Sequence, residues 1–289
     1  MIIVTGANGK LGSQVVGRLL ERMPAAQIGV SVRDTDAASP LAALGVRVRQ
    51  GDFGAPDTLA HAFEGAEQVL IVSSNASGEQ AVAHHRAAVD AARDAGVARV
   101  LYTSHQASAA DSLFAPMRDH AATSAYLQAS RLAHTALRNG FYASTVPFLI
   151  GPALKSGVVL APADGPVSWT THADLAEATA VILGEPGRFE GETPPLTAPG
   201  AHDLADVAAM LSELTGREIR RVVAKDDDWL DGLVKHGVPA AQAQMLLGMF
   251  LASRRGEFAT ADPTLETLLG RPAQSLRSVL DALVVAAGR

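Results

Sequence analysis

Short apolar runs alternate along the first half of the chain with longer segments whose apolar residues recur three and four positions apart. The short runs fall at residues 1–4, 28–32, 46–50, 68–72, 100–103 and 135–137, and each reads as a buried strand. Between them lie helical patterns. Leu11, Val15, Val16, Leu19, Leu20 and Met23 share one face, and Pro24 stops that helix. A short helix around residues 41–44 ends at Gly45, and one capped by Asp57 carries Leu59 and Phe63 and ends at Gly65. An alanine-rich helix covers about residues 79–95, with Gly96 after it, and another follows Pro116 and ends near Leu132. Strands alternating with helices on short links predict an α/β fold, a doubly wound parallel sheet of Rossmann type.

The alternation weakens after about residue 150, where prolines accumulate. Helical patterns return at residues 174–183, 203–214, 226–236, 240–253 and 275–287. The expected organisation is a nucleotide-binding domain over residues 1–150. A smaller, mostly helical substrate-side region follows over 151–289, with some segments crossing back to the first domain.

Composition narrows the function classes. The chain has 289 residues, 48% hydrophobic, with a net charge of −6 and no cysteine. Absence of cysteine removes disulfides, thiolate nucleophiles and cysteine-based metal sites, and fits a cytoplasmic protein. No apolar run reaches the ~18 residues of a membrane span, and the first 24 residues lack the layout expected of a signal peptide, their apolar run breaking at Gly6. Charges of both signs are scattered, so direct nucleic-acid binding and membrane attachment are not expected. A homodimer is compatible with the reading.

The candidate chemistry begins at the first strand. Val-Thr-Gly-Ala-Asn-Gly-Lys-Leu-Gly (4–12) joins that strand directly to a helix, with Gly6, Gly9 and Gly12 at three-residue spacing. A helix N-terminus has unpaired N–H groups and a partial positive charge, and both favour a phosphate. Gly6 suits the turn, Gly9 a close approach of backbone to pyrophosphate, and Gly12 close packing of the helix on the sheet. Asn8, Lys10 and Leu11 complete this loop.

Ligands of such sheets bind beyond the C-terminal strand ends, which selects the remaining candidates. Strand two ends in Arg33 and Asp34, roughly 20 residues on, where an acid holds the ribose of NAD or an arginine the 2′-phosphate of NADP. Arg33 comes first and its planar fork suits phosphate, so NADP(H) is favoured and NAD(H) remains open. Strand three ends in Asp52 and Phe53, suited to an adenine amine and ring. Strand four ends in Ser73, Ser74 and Asn75, near the middle of the cofactor. Strand five ends in Thr103, Ser104 and His105, and strand six in Asn139, Gly140, Phe141 and Tyr142, beside a nicotinamide.

Together these residues resemble the NmrA-like branch of the atypical short-chain dehydrogenases/reductases. The pieces are residues 4–12, Val-Arg-Asp (32–34), Gly-Asp-Phe (51–53), Tyr-Thr-Ser (102–104) and Leu-Arg-Asn-Gly-Phe-Tyr (137–142). The last segment is similar to the NAD(P)H:quinone oxidoreductase type 2 and triphenylmethane reductase subgroup, and the resemblance covers essentially the whole chain. It implies a Rossmann domain, NADPH preference and hydride transfer to a small quinone-like or other conjugated acceptor.

The chain departs from ordinary short-chain dehydrogenases. Its tyrosines, Tyr102, Tyr126 and Tyr142, are followed four residues later by Gln106, Ser130 and Val146, so the Tyr-x-x-x-Lys pair is absent. The subgroup's His-x-x-Thr-Glu segment reads His120-Ala-Ala-Thr-Ser here, with Ser124 in place of the acid. No catalytic residue is assigned outright. His105, Phe141 and Tyr142 are the candidates for the acceptor pocket, while Phe148 and Trp169 read as core. Adjacent His84 and His85 lie on different faces of their helix, and no metal site is expected. The expected activity is NADPH-dependent oxidoreduction of a conjugated acceptor. The alternative is a non-catalytic NmrA-like protein that binds NADP(H) and reports redox state to a protein partner.

Overall fold

The computed structural model describes residues 1–288. In chain order its elements begin β1 (Ile2–Thr5), α1 (Lys10–Leu20), β2 (Ile28–Val32), α2 (Ser39–Ala43), β3 (Arg47–Gln50), α3 (Asp57–Phe63) and β4 (Gln68–Ile71). They continue with α4 (Glu79–Asp94), β5 (Arg99–His105), α5 (Ala115–Ala129), β6 (Ala133–Asn139), β7 (Phe141–Tyr142), α6 (Val146–Ile150), α7 (Ala153–Ser156) and β8 (Val158–Pro162). The remainder is β9 (Trp169–Thr170), α8 (His172–Gly184), β10 (Gly191–Glu192), α9 (Leu204–Thr215), β11 (Arg220–Ala224), α10 (Asp226–Lys235), α11 (Ala240–Arg254), α12 (Thr264–Leu269) and α13 (Leu276–Ala286).

These elements form two compact units. The first comprises Met1–Ala110, Pro116–Asn139 and His172–Leu196. Its sheet runs β10-β6-β5-β4-β1-β2-β3, and every pairing in it is parallel. The central strands β1, β2, β4 and β5 are buried at every residue, which is why they read as continuous apolar runs. Edge strand β3 is partly exposed and carries Arg47, Arg49 and Gln50. The order reverses between β1 and β4, so the crevice of a doubly wound sheet lies at their C-terminal ends.

Packed on the sheet, Ile3, Leu59, Phe63, Val69, Ile71, Val89, Val100 and Leu127 form one core cluster, with Tyr102 fully inside it. Beneath, Arg99 is buried and donates to the Gln68 side chain, the Ile182 and Phe189 carbonyls and Thr135 Oγ1. Among the described residues no helix is long and apolar enough to cross a membrane.

The second unit comprises Asp111–Ala115, Gly140–Thr171 and Thr197–Arg289. Phe114, Phe141, Trp169 and Phe258 pack ring to ring at its heart, with Phe141 and Phe258 centroids 4.9 Å apart. Its strands pair as β8 with β11 and β7 with β9. A capping box from Asp203 and Asp206 starts α9.

Three sequence expectations need correction. The fifth helix stops at Ala129 rather than near Leu132, because Arg131 adopts a left-handed φ of 61°. Strand six extends from Ala133 to Asn139; its polar residues His134, Arg138 and Asn139 hid it. Phe148 is not core but 80% exposed, whereas Trp169 is buried.

Candidate functional site

The glycine loop leaves β1 at Gly6, whose φ of +61° an L side chain rarely adopts. Gly6 N–H donates to the Ser31 carbonyl at the end of β2, and Gly9 N–H donates back to the Gly6 carbonyl. Gly9 is the N-cap of α1 and offers no side-chain cap, and the first turn holds no acidic residue. The helix N-terminus thus has no side-chain cap or acid of its own, the setting in which a helix N-terminus favours an anion. A Cβ at Gly9 would come 3.2 Å from the Gly6 carbonyl oxygen, and one at Gly12 only 2.4 Å from it. The close approach at Gly12 is therefore to the loop's own backbone, not to the sheet. Leu11 is buried as the first core residue of α1, while Lys10 is exposed.

Asn8 Nδ2 donates to the Asp34 carbonyl at 2.9 Å and ties this loop to the end of β2. The Asp34 carboxylate is turned into its own loop, where Oδ1 accepts the N–H groups of Asp36 and Ala37. Arg33 beside it is exposed and makes no hydrogen bond or ion pair among the described residues. Beyond β3, Asp52 Oδ1 accepts Gly54 N–H, and Phe53 packs partly against the core. Gly51 is confined by Ser31, Leu59 and Ala62.

At the end of β4 three successive backbone N–H groups leave the sheet and are taken by side chains. Val72 donates to Thr5 Oγ1 at 2.9 Å, Ser73 to Thr103 Oγ1 at 2.8 Å and Ser74 to His85 Nε2 at 2.8 Å. Ser74 Oγ accepts Ala76 N–H and lies 2.9 Å from His84 Nδ1. Gly78 N–H donates to Asp119 Oδ2. Asn75 is exposed. The adjacent histidines, expected to diverge, thus converge on Ser74, one on its N–H and one on its hydroxyl.

Thr103 and Ser104 are buried and hold this frame. Ser104 Oγ is 3.5 Å from Ser124 Oγ. His105 is the last residue of β5 rather than past its end. It is buried, and its Nδ1 accepts the Ala107 N–H. Burial first, then the neighbouring His120 and Arg138, hold its pKa well below the usual histidine value. Burial thus favours the neutral form of this acceptor-pocket candidate. Asn139 is fully buried, and neither Nδ2 nor Oδ1 has a partner. Gly140 is buried, Phe141 belongs to the aromatic cluster, and Tyr142 alone of the three acceptor candidates is not fully buried.

Thr5, Tyr102, His120 and Thr123 were legible only as motif positions and His85 only as a helical histidine, without the contacts they make. The Tyr102 hydroxyl is 2.7 Å from His120 Nδ1 and 3.4 Å from His85 Nδ1, and Thr123 Oγ1 is 2.9 Å from His85 Nδ1. Burial, with smaller effects of His120 and His84, lowers the pKa of His85 to about 3, and burial lowers that of His120 to about 4. One signal was present. His85 shares a helix face with Ala81, Ala88, Val89 and Ala92, where a polar ring needs an internal partner.

Among the described residues no cluster of three metal-ligating side chains exists. The arrangement fits a dinucleotide, with backbone donors at an uncapped helix N-terminus, a crevice at the strand reversal and exposed cations at its rim. A family model described as NAD(P)H-binding matches residues 6–186. Quinone oxidoreductase 2 of Escherichia coli (strain K12) is 34% identical over 277 residues, 96% of this chain and 96% of the relative. The structure of NADPH-dependent quinone oxidoreductase QOR2 complexed with NADPH from Escherichia coli matches with a TM-score of 0.91. That match has 33% identity and covers 98% of this chain and 99% of the other. Citrobacter sp. triphenylmethane reductase complexed with NADP(H) matches with a TM-score of 0.87 at 31% identity, covering 98% and 100%. The chain belongs to this NAD(P)H-binding family.

Proposed function

We propose that this NAD(P)H-dependent oxidoreductase uses NADPH to reduce a quinone-like or other conjugated acceptor, without a Tyr-x-x-x-Lys proton relay. The observation that carries the cofactor choice is the division of labour at the end of β2. The Asp34 carboxylate already accepts two backbone N–H groups, while the Arg33 guanidinium is exposed and unengaged. An acid committed to its own turn is poorly placed to hold a ribose 2′-OH, and a planar guanidinium suits a 2′-phosphate. Lys10, exposed on the glycine loop, adds a second positive charge.

In this reading the N-terminus of α1 and the loop around Gly9 receive the pyrophosphate, and Asp52 and Phe53 take the adenine side. The loop 73–75 lies along the middle of the cofactor, and Tyr142 contacts the acceptor. When bound, the nicotinamide supplies the hydride. The protein's contribution is orientation rather than acid catalysis, because His85, His105 and His120 are neutral and already engaged. An electron-poor acceptor takes hydride without a strong protein acid, and solvent supplies the later proton. The names of the two reductases described above support the acceptor class.

The test is a titration with NADPH and NADH followed by addition of a benzoquinone or naphthoquinone, reading loss of the reduced-nicotinamide absorbance. Preferential NADPH binding and its consumption are expected. Tight NADPH binding with no consumption by any acceptor overturns the catalytic reading and leaves a nucleotide-responsive sensor.

A further inference from the structure

The loop after β4 is held by side chains of β1, β5 and α4, and the holder from outside the sheet has no part in the function described so far. His85 reaches from the buried face of α4 to the Ser74 N–H. Its proton inventory is fixed by its partners. Nε2 accepts from a backbone N–H, so it carries no proton. The neutral ring must carry its proton on Nδ1, 2.9 Å from Thr123 Oγ1. Thr123 in turn donates its hydroxyl proton to the Asp119 carbonyl, which leaves its oxygen to accept from His85. The Tyr102 hydroxyl, beside the same Nδ1, has the His120 Nδ1 as its own acceptor. One tautomer satisfies every group; the other sets two N–H donors against each other at Ser74.

We propose that His85 is a positioning residue for the nucleotide: as the Nδ1–H tautomer it fixes the loop 73–76 as a preformed wall of the cofactor cleft. This rests on the placement of the cofactor along that loop. The groups facing the imidazole are Ser74, His84 of its own helix, Tyr102 of β5, and His120 and Thr123 of α5. The group at Nε2 is the Ser74 N–H, a donor that a proton on Nε2 would oppose. Preforming the wall removes an ordering cost from binding, so loss of the contact appears in cofactor affinity rather than in the hydride step.

The experiment compares two substitutions by NADPH titration and steady-state kinetics on the full chain. In His85→Gln the side-chain oxygen reaches the position of Nε2 and still accepts from Ser74. In His85→Asn the side chain is too short to do so. His85→Gln is expected to keep the NADPH Kd within about threefold. His85→Asn is expected to weaken it about tenfold, the size of one lost hydrogen bond, with KM for NADPH rising more than kcat falls. Equal weakening in both variants, or none in either, overturns the proposal.

Nitrogen NMR of the unliganded parent gives a readout independent of folding in the variants. A protonated Nδ1 on His85 is expected, and a protonated Nε2 overturns the proposal. Thr123→Val, which removes the acceptor at nearly constant volume, is expected to mix the tautomers and weaken NADPH; unchanged tautomer and affinity overturn it. A parent that binds no NADPH defeats the cofactor reading itself. Failure of the His85 role leaves parent binding intact.

Discussion

A Cβ on Gly12 would lie 2.4 Å from the carbonyl oxygen of Gly6, backbone against backbone, with no flexible side chain to give way. Gly12→Ala must therefore displace the glycine loop between β1 and α1, the proposed pyrophosphate site. It is expected to destabilise the protein by about 1–3 kcal/mol and to weaken NADPH binding at least about tenfold. Gly17, on the same helix, has nothing within 4 Å of its added Cβ. Gly17→Ala should instead stabilise by roughly 0.5–1 kcal/mol and leave binding alone. Thermal melts with and without NADPH check both; a Gly12→Ala protein that binds NADPH normally would contradict the loop assignment.

The proposed cofactor site makes Arg33 the residue that discriminates NADPH from NADH. Arg33→Ala is expected to weaken NADPH by about 10- to 100-fold, one charge-assisted contact, while NADH changes by less than about threefold. Equal losses for both cofactors would sink the assignment. Asp34→Ala should act differently, by freeing the Asp36 and Ala37 N–H groups and loosening the turn.

Three histidines make the fold sensitive to mild acid. His85 and His120 are lowered to about 3 and about 4, and His105 lies well below the ordinary value of 6.5. Their folded pKa values are depressed, so the unfolded chain binds their protons first. The stability they contribute is fully present above pH ~6.5 and is lost as pH falls toward the folded values. Each adds a slope of up to ~1.4 kcal/mol per pH unit, and the three together up to ~4. Urea unfolding at pH 7, 6 and 5 should show a steep fall, and replacement of His120 by Gln should flatten it.

Arg99 lies at the opposite end of the strands from the crevice and holds carbonyls and neutral side chains rather than a carboxylate. Arg99→Leu would leave several buried acceptors unpaired. A loss of about 2–4 kcal/mol is expected, with NADPH affinity at a subsaturating temperature unchanged within about twofold. Denaturant titration and a binding isotherm separate the two effects.

The central strands β1, β2, β4 and β5 were legible because parallel strands buried on both faces are written as apolar runs, as in residues 28–32 and 68–71. Gly6, Gly9 and Gly12 were legible because their spacing and their strand-to-helix setting carry a mechanism. β10 has only two residues, Gly191 and Glu192, too few to carry a period. The frame behind the candidate site was invisible for another reason. Thr5, Thr103 and Thr123 are common residues whose role depends on which backbone group lies opposite, and only tertiary contact supplies that. His105 was misplaced because the sequence shows where a strand's apolar run ends, whereas the ladder continues through Thr103, Ser104 and His105 opposite Leu137, Arg138 and Asn139.

The bond from Asn8 to the Asp34 carbonyl also sets a chemical shelf life. Asn8 is exposed and precedes Gly9, the neighbour least able to shield a side-chain amide from attack by the next backbone nitrogen. Ring closure there expels ammonia, and hydrolysis leaves an aspartate. The donor to Asp34 is then gone, and a negative charge stands in the glycine loop proposed to hold the pyrophosphate. Asn139 also precedes a glycine, but it is fully buried and paired in β6, which withholds the geometry that reaction needs. Stored protein should therefore lose cofactor affinity while its fold stays intact, and bound NADPH should slow the loss.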